Sequence, residues 1–350
     1  MTTGVTDFIK IGEVRQEIDS TYPNPGEDAE GKLKVVNNGY GHQLVGNAFE
    51  YLCRLLLYRR CNEIIHGSWS TFGNFEPRWT NGETPPLNVM RFDGMKWEEY
   101  DDISSQEEWD EKQNNLPVWK RQRSSVKWTE DEQLTKLVKQ YIQTGMNTRK
   151  VVRASLINAG WKPDKSVQSW INRKAFAEDI LNEMEELFEL LRETEWTNGN
   201  TMIEQPGFGG HRYILPGEGD FIVDDLLVDI KTTEGRTFTN QFWRQLLMYY
   251  VLCDVQRILY EEMYADSEDV AKIKYPEISK VGIYFARYGE LRTVNMGDVI
   301  QDQDRYEEFR AWIVDRGIEE NRHAQKNYNM EREALTEPYD YKRQQTFSDF

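Results

Sequence analysis

Apolar positions along the chain fall into several distinct periods. Residues 41–58 carry Leu44, Leu52, Leu55 and Leu56 at helical spacing, which predicts an amphipathic helix. Residues 178–195 form a second helical stretch that is strongly acidic. Residues 219–231 read Gly-Asp-Phe-Ile-Val-Asp-Asp-Leu-Leu-Val-Asp-Ile-Lys, two short apolar runs around Asp224 and Asp225. That is the pattern of a β-hairpin with a two-residue turn, since Asp tolerates left-handed backbone. Phe221, Ile222, Val223, Leu226, Leu227, Val228 and Ile230 are apolar on both faces, so the hairpin is expected to be central and buried rather than a charged surface turn. A further helix is expected from Gln241, with Gln245 and Tyr249 one turn apart, then two strands over 281–294 around Gly289 and a closing helix over 307–314. Residues 207–210 are read as a turn before a strand at 211–215. Residues 1–39 are polar and mixed, 67–118 show no clear period, and 324–350 read as a polar tail.

The expected hairpin register sets Asp220 opposite Asp229, with Cβ atoms about 4.5–5.5 Å apart. Two carboxylates that close repel unless a cation lies between them or one is protonated. Lys231 follows Asp229 by two residues and so emerges on the same sheet face. Two acids and an ammonium at one end of an apolar hairpin suit a divalent ion and an activated water. Glu50 follows Gly46 by one helical turn, and a glycine there lets backbone or ligand approach the acid's face. It is the candidate for a further metal-ligating acid. The alternatives are an ion-paired surface glutamate at that position, or Glu186 or Glu189 of the acidic helix in its place.

Asp220, a short strand connection and Asp229-Ile-Lys231, followed by the Gln245-x-x-x-Tyr249 helix and the strand pair around Gly289, resemble the PD-(D/E)xK nuclease superfamily in its RecB/Cas4-like branch. The resemblance covers roughly residues 40–66 and 200–315, and departs from the family where Gly219 stands in place of a frequent proline. It implies an α/β fold: a restriction-endonuclease-like core, with a mixed central sheet flanked by helices. It also implies that Asp220, Asp229, Glu50 and the Ile230 carbonyl hold Mg²⁺, with Mn²⁺ as a substitute. Lys231 would orient the attacking water, while Gln245 and Tyr249 position the substrate or the groups behind it.

Net charge is −17, which at first sight disfavours a DNA partner. The distribution changes that picture. Residues 120–174 hold 13 Lys and Arg against 4 Asp and Glu, so the acidity belongs to the remainder of the chain. Within this basic island Thr129 and Glu132 form a capping box, followed by Leu134, Leu137, Val138 and Tyr141 at helical spacing. A second helix is expected over 148–159 and a third over 163–176. With Trp128, Trp161 and Trp170 between them, these segments resemble a Myb/SANT-type helix-turn-helix, although the tryptophan spacing departs from the usual pattern. The resemblance implies that the third helix enters the major groove with Lys165, Gln168, Ser169, Asn172, Arg173 and Lys174. Lys120, Arg121, Arg123 and Lys127 would meet phosphates or a minor groove, and the alternative is a solvated basic face with no nucleic acid.

A hydrophobic content of 39% is enough for a substantial core. No apolar run approaches the roughly 18 residues of a membrane span, and no leader pattern is present, so a cytoplasmic protein without a membrane partner is expected. Cys53, Cys61 and Cys253 are too few for an iron-sulfur cluster, and four scattered histidines argue against zinc. The domain reading is a nuclease core divided between 1–118 and 176–323, an inserted DNA-binding module at 120–175 and a tail at 324–350. These features together suggest a Mg²⁺-dependent endonuclease on double-stranded DNA, of a kind suited to homing, defence or genome processing in a phage or mobile element. A recombination-type exonuclease and a non-catalytic DNA-binding protein are the alternatives. Double-strand cutting would call for two active sites, hence a homodimer.

Overall fold

The structure is a computed structural model that describes residues 4–39, 41–66, 90–92, 97–99, 137–138, 140–159, 178–208, 214–263 and 275–336. Its helices are α1 (Val5–Phe8), α2 (Gly12–Thr21), α3 (His42–Arg60), α4 (Thr148–Asn158), α5 (Glu178–Arg192), α6 (Asn240–Met263), α7 (Met296–Val299) and α8 (Gln303–Thr336). Its strands are β1 (Glu63–His66), β2 (Met90–Phe92), β3 (Trp97–Glu99), β4 (Thr201–Glu204), β5 (Gly207–Phe208), β6 (Gly217–Glu218), β7 (Phe221–Val223), β8 (Leu226–Lys231), β9 (Lys280–Phe285) and β10 (Glu290–Asn295).

Six strands form one mixed sheet in the order β1-β4-β7-β8-β9-β10. The hairpin β7–β8 is central, as its two-sided apolar pattern predicts. β8 runs parallel to β9, and α6 makes the crossover between them; β10 returns antiparallel to β9 through Gly289, whose φ of 62° suits a residue without Cβ. Side chains alternate between two cores. Phe221, Val223, Val228 and Tyr284 pack with α3, α4 and α5, whereas Ile222, Leu227, Val281, Ile283 and Phe285 pack with α1, α2, α6 and α8. A sheet covered on both faces requires continuous apolar strands, which explains why β7, β8 and β9 lack polar alternation.

Several elements differ from the sequence expectation. The N-terminal stretch is not merely polar: Val5, Phe8, Val14 and Ile18 are buried against the α6 core, and the Trp243 indole donates to the Tyr22 carbonyl at 2.7 Å. Beyond α2 the chain follows the domain edge, pinned by Ala29 N–H to the Arg236 carbonyl and by Lys34 N–H to the Arg287 carbonyl. Gly207 and Phe208 pair with β6 instead of only turning, and Leu215 is buried outside any strand. Leu215 precedes Pro216, which has no amide to donate, and the Ile214 carbonyl is taken by the Asn321 side chain at 2.5 Å. α8 is longer than the expected 307–314, and its backbone continues to Thr336, inside what reads as a polar tail. Of the 67–118 segment only the β2–β3 ladder is described.

The expected second helix of the basic module is α4, and its Val151, Val152, Ala154 and Leu156 lie in the same core as α3 and α5. Residues 148–158 thus form an outer helical layer of the main domain, because their apolar stripe is wide enough to pack on two helices. The capping box at Thr129 and Glu132, the third helix over 163–176 and residues 337–350 lie outside the described residues, as do 209–213.

Candidate active site

Both ends of the β7–β8 hairpin are tied down by their own acids. Asp224 takes φ 54°, and its carboxylate accepts the N–H groups of Asn200 at 3.0 Å and Thr201 at 2.9 Å. Asp225 accepts the Ser279 hydroxyl, which docks the start of β9 on the turn. At the opposite end the pairs Val223↔Leu226, Ile222↔Leu227 and Phe221↔Val228 fix the register, and the next step sets Asp220 across from Asp229. The Ile230 N–H donates to Asp220 Oδ2 at 2.7 Å. Asp229 is 4% exposed, and Lys231 Nζ lies 2.6 Å from its Oδ2. Strand alternation puts Asp220, Asp229 and Lys231 on the α6 side with Ile222 and Leu227. The ammonium of Lys231 also stands 5.0 Å from the Phe242 ring centroid of α6.

α6 brings the other two expected residues. Gln245 Nε2 donates to the Tyr249 hydroxyl at 2.8 Å. Tyr249 is buried, and its pKa is raised first by that burial and then by the charges of Asp229, Asp220 and Glu218, which places its hydroxyl in their field.

Glu50 arrives from α3 on the other face of the sheet. A Cβ built on Gly46 would stand 3.4 Å from Thr232 Oγ1, so this glycine lets α3 lie close to the residue after Lys231. One turn on, Glu50 forms an ion pair with Arg54, which is 2% exposed. The glutamate is therefore ion-paired, as one reading of the helix suggested, but within a buried network rather than at the surface. Arg54 Nε lies 4.0 Å from Glu204, and the Tyr58 hydroxyl donates to the same carboxylate. Glu50, Arg54 and Tyr58 recur every four residues along one helix face. Sequence reasoning missed Arg54, Tyr58 and Glu204; the i, i+4 spacing was a usable signal for the first two, whereas Glu204 is merely the last residue of a short strand. The rival acids lie elsewhere: Glu186 is exposed and Glu189 pairs with Arg192 at 2.7 Å.

Burial and like charge shape the electrostatics at this end of the sheet. Burial pushes the Asp220 carboxyl well above the carboxylate range, Asp229 and Glu50 add to the shift, and Lys231 and the Ile230 N–H oppose it. Burial also raises Glu50 against the pull of Arg54, with Asp229 and Glu204 contributing, and raises Glu218, where Glu50 contributes. Burial disfavours the Lys231 ammonium, but Asp229 and Asp220 outweigh it and its pKa rises. Five carboxyl groups, on Glu50, Glu204, Glu218, Asp220 and Asp229, thus share a region with two cations, Arg54 and Lys231. Among the described residues no three His, Cys, Asp or Glu side chains form a ready ligand cluster. Lys231 and Arg54 engage Asp229 and Glu50 in ion pairs. The donor set still fits a hard divalent ion, being carboxylate oxygen with a repulsion between Asp220 and Asp229 that Lys231 and the Ile230 N–H only partly offset.

Burial of Asp220, with the repulsion added to it, gives a pH dependence. A carboxyl whose folded pKa is raised binds its proton more tightly when folded, so its contribution to stability is present below the usual value near 3.8 and is lost as pH rises through the folded pKa. With chelator present, the melting temperature of the wild type relative to Asp220→Asn is therefore expected to fall as pH rises above 4, and Mg²⁺ should restore it. A difference between the two proteins that stays constant with pH would mean that the Asp220 carboxyl is not raised on folding.

All ten residues expected to contact DNA, Lys120, Arg121, Arg123, Lys127, Lys165, Gln168, Ser169, Asn172, Arg173 and Lys174, lie outside the described residues. Cys53, Cys61 and Cys253 are buried free thiols. Among the described residues no helix is long and apolar enough to cross a membrane. No family model, curated protein or solved structure matches the chain, so the chemistry of the site rests on its own residues.

Proposed function

We propose that the protein is a metal-dependent phosphodiester hydrolase of restriction-endonuclease-like architecture that cuts double-stranded DNA. The observation that carries this reading is the meeting of Asp220, Asp229 and Lys231 at the open end of the central hairpin, with Glu50 from α3 in their field. The element order supports it: helix α3, hairpin β7–β8, helix α6, then β9 parallel to β8 and β10 antiparallel to β9.

Asp220, Asp229 and Glu50, with the Ile230 carbonyl, are the groups that would hold Mg²⁺ or Mn²⁺. The bound ion would supply Lewis acidity toward the scissile phosphate and lower the pKa of the attacking water. Lys231, held as an ammonium by its two aspartates, orients that water and stabilises charge growing on the phosphorus oxygens. Arg54 keeps the Glu50 carboxylate aimed by pairing with it from the buried side. Gln245 and Tyr249 fix each other through their hydrogen bond and present a neutral polar edge to the sugar-phosphate backbone. The basic segment 120–174 would select the site as a helix-turn-helix, with a homodimer supplying the second active site.

Supercoiled plasmid tests this directly. Nicked and linear products are expected with Mg²⁺ or Mn²⁺, and none with chelator. Degradation of linear DNA only, from its ends, would favour an exonuclease; a mobility shift with no cleavage would leave a binding protein on this architecture.

A further inference from the structure

Away from these acids, a cavity of about 570 Å³ opens where the last turn of α3 meets the chain at 141–145 and the end of α5. Its wall contains Arg59, Arg60 and Arg192 together with Gln143, Thr144 and Gly145. Arg60 is built into the frame: it donates to the Arg192 carbonyl at 2.6 Å and to the Thr197 hydroxyl. Arg59 Nη1 donates to the Ile142 carbonyl at 3.0 Å, and Arg192 pairs with Glu189 at 2.7 Å. Among the described residues neither Arg59 nor Arg60 has a carboxylate partner. Helix C-termini explain part of this clustering, since α3 and α5 each contribute roughly half a negative charge. Glu189 contributes one more, and three guanidiniums exceed that total. Burial, followed by Arg192 and Arg59, lowers the pKa of Arg60, as expected where like charges crowd.

The chemistry of the wall names the ligand class. Guanidinium forks suit the paired oxygens of a phosphate. Among the described residues Tyr141 is the only aromatic ring in the lining, and it is 2% exposed, so its face is not available to stack a nucleobase. Arg59 lies nine residues after Glu50 on the same helix, roughly 14 Å along its axis at ~1.5 Å per residue and about half a turn round it at ~3.6 residues per turn, so the cavity is separate from the acids. Resting on the nuclease reading, we infer that the Arg59–Arg60–Arg192 cavity is a backbone subsite that grips a phosphate of the DNA away from the scissile bond.

The test compares full-length wild type with Arg59→Gln/Arg192→Gln, two exposed side chains whose loss leaves the Arg60 frame in place. Anisotropy of a labelled 25-base-pair duplex, titrated across salt, is expected to show about tenfold weaker binding and a log K–log salt slope shallower by about one. Plasmid cleavage should show a raised KM with little change in kcat. Unchanged affinity and slope would overturn the subsite, even if the wild type cuts plasmid normally. Calorimetry with inorganic pyrophosphate supplies the second arm: pyrophosphate binding lost in the variant while duplex affinity is unmoved would mean a free-polyphosphate pocket and also overturns the inference. A wild type that binds duplex through these arginines yet cuts nothing would retain the phosphate grip and remove the nuclease reading instead. Should the double variant fail to fold, Arg192→Glu alone, at the exposed end of α5, reports the same slope change.

Discussion

Asp229→Asn is expected to reduce Mg²⁺-dependent cleavage by at least about a thousandfold while duplex affinity stays within about twofold of wild type. The carboxylate sits at the centre of the constellation, opposite Asp220 and 2.6 Å from Lys231. An amide retains the shape but loses the charge that would hold a divalent ion and keep Lys231 aligned. Loss of metal-centred stabilisation of several kcal/mol corresponds to a rate loss of that order. On the proposed reading DNA affinity should survive, because phosphate contacts away from the metal site would supply most of it. The same substitution should raise the melting temperature in chelator, since Asp229 is a main source of repulsion on Asp220 after burial. Cleavage retained within tenfold in Asp229→Asn would take this residue out of the reaction. Lost activity together with a lowered melting temperature would point to a structural role.

Arg287→Met is expected to cost about 3–5 kcal/mol of stability, with most of that recovered by adding Glu183→Leu. Arg287 and Glu183 are both fully buried and paired at 2.5 Å. The remaining donors of Arg287 reach the carbonyls of Thr232 at 2.5 Å and Val35 at 3.3 Å, and Glu183 also accepts the Asn38 N–H at 2.9 Å. One pair therefore ties α5, the N-terminal strap and the chain just past Lys231 into a single node. Removing only the cation leaves a buried, uncompensated carboxylate, whereas replacing both ends with apolar groups removes that penalty. Urea unfolding of the two variants checks the contrast; a single-variant loss below 1 kcal/mol, or a double variant no better than the single, would contradict it. Because Thr232 is held in this node, the single variant should also lower cleavage, through misplacement of Lys231.

How much of this was readable in advance follows the range of each interaction. The hairpin register, the spacing of Asp229 and Lys231, the Gln245–Tyr249 contact and the strand pair around Gly289 all follow from side-chain periodicity within one or two neighbouring elements. Glu50 was reachable as an acid one turn after a glycine, but its pairing with Arg54 needed burial to become more than a surface contact. Glu204 and the Glu183–Arg287 pair were not legible. Glu204 meets Tyr58 across 146 positions, and Glu183 meets Arg287 across 104. No local period encodes such distances. In the acidic helix, Glu183 looks like its solvated neighbours until the helix is docked and one of its faces is enclosed. The same holds for residues 148–158: their apolar stripe predicts a helix, yet whether it covers a separate module or the α3–α5 layer depends on which surfaces meet.

Alone, the amino-acid order placed α3, α4, α5, α6, the β7–β8 hairpin and the β9–β10 pair, though not α1, α2, β1 or β4, and it set the two aspartates and the lysine on one face of a central hairpin. Those outcomes depend only on backbone geometry and the repeat of apolar side chains. Tertiary packing decided which charges lost their water. It brought α3 over the end of β8, enclosed Glu204 with Arg54 and Tyr58, and gathered three arginines around a cavity at the far end of the same helix. A charge acquires its chemistry from desolvation and from distant neighbours, and both exist only once the chain has closed on itself.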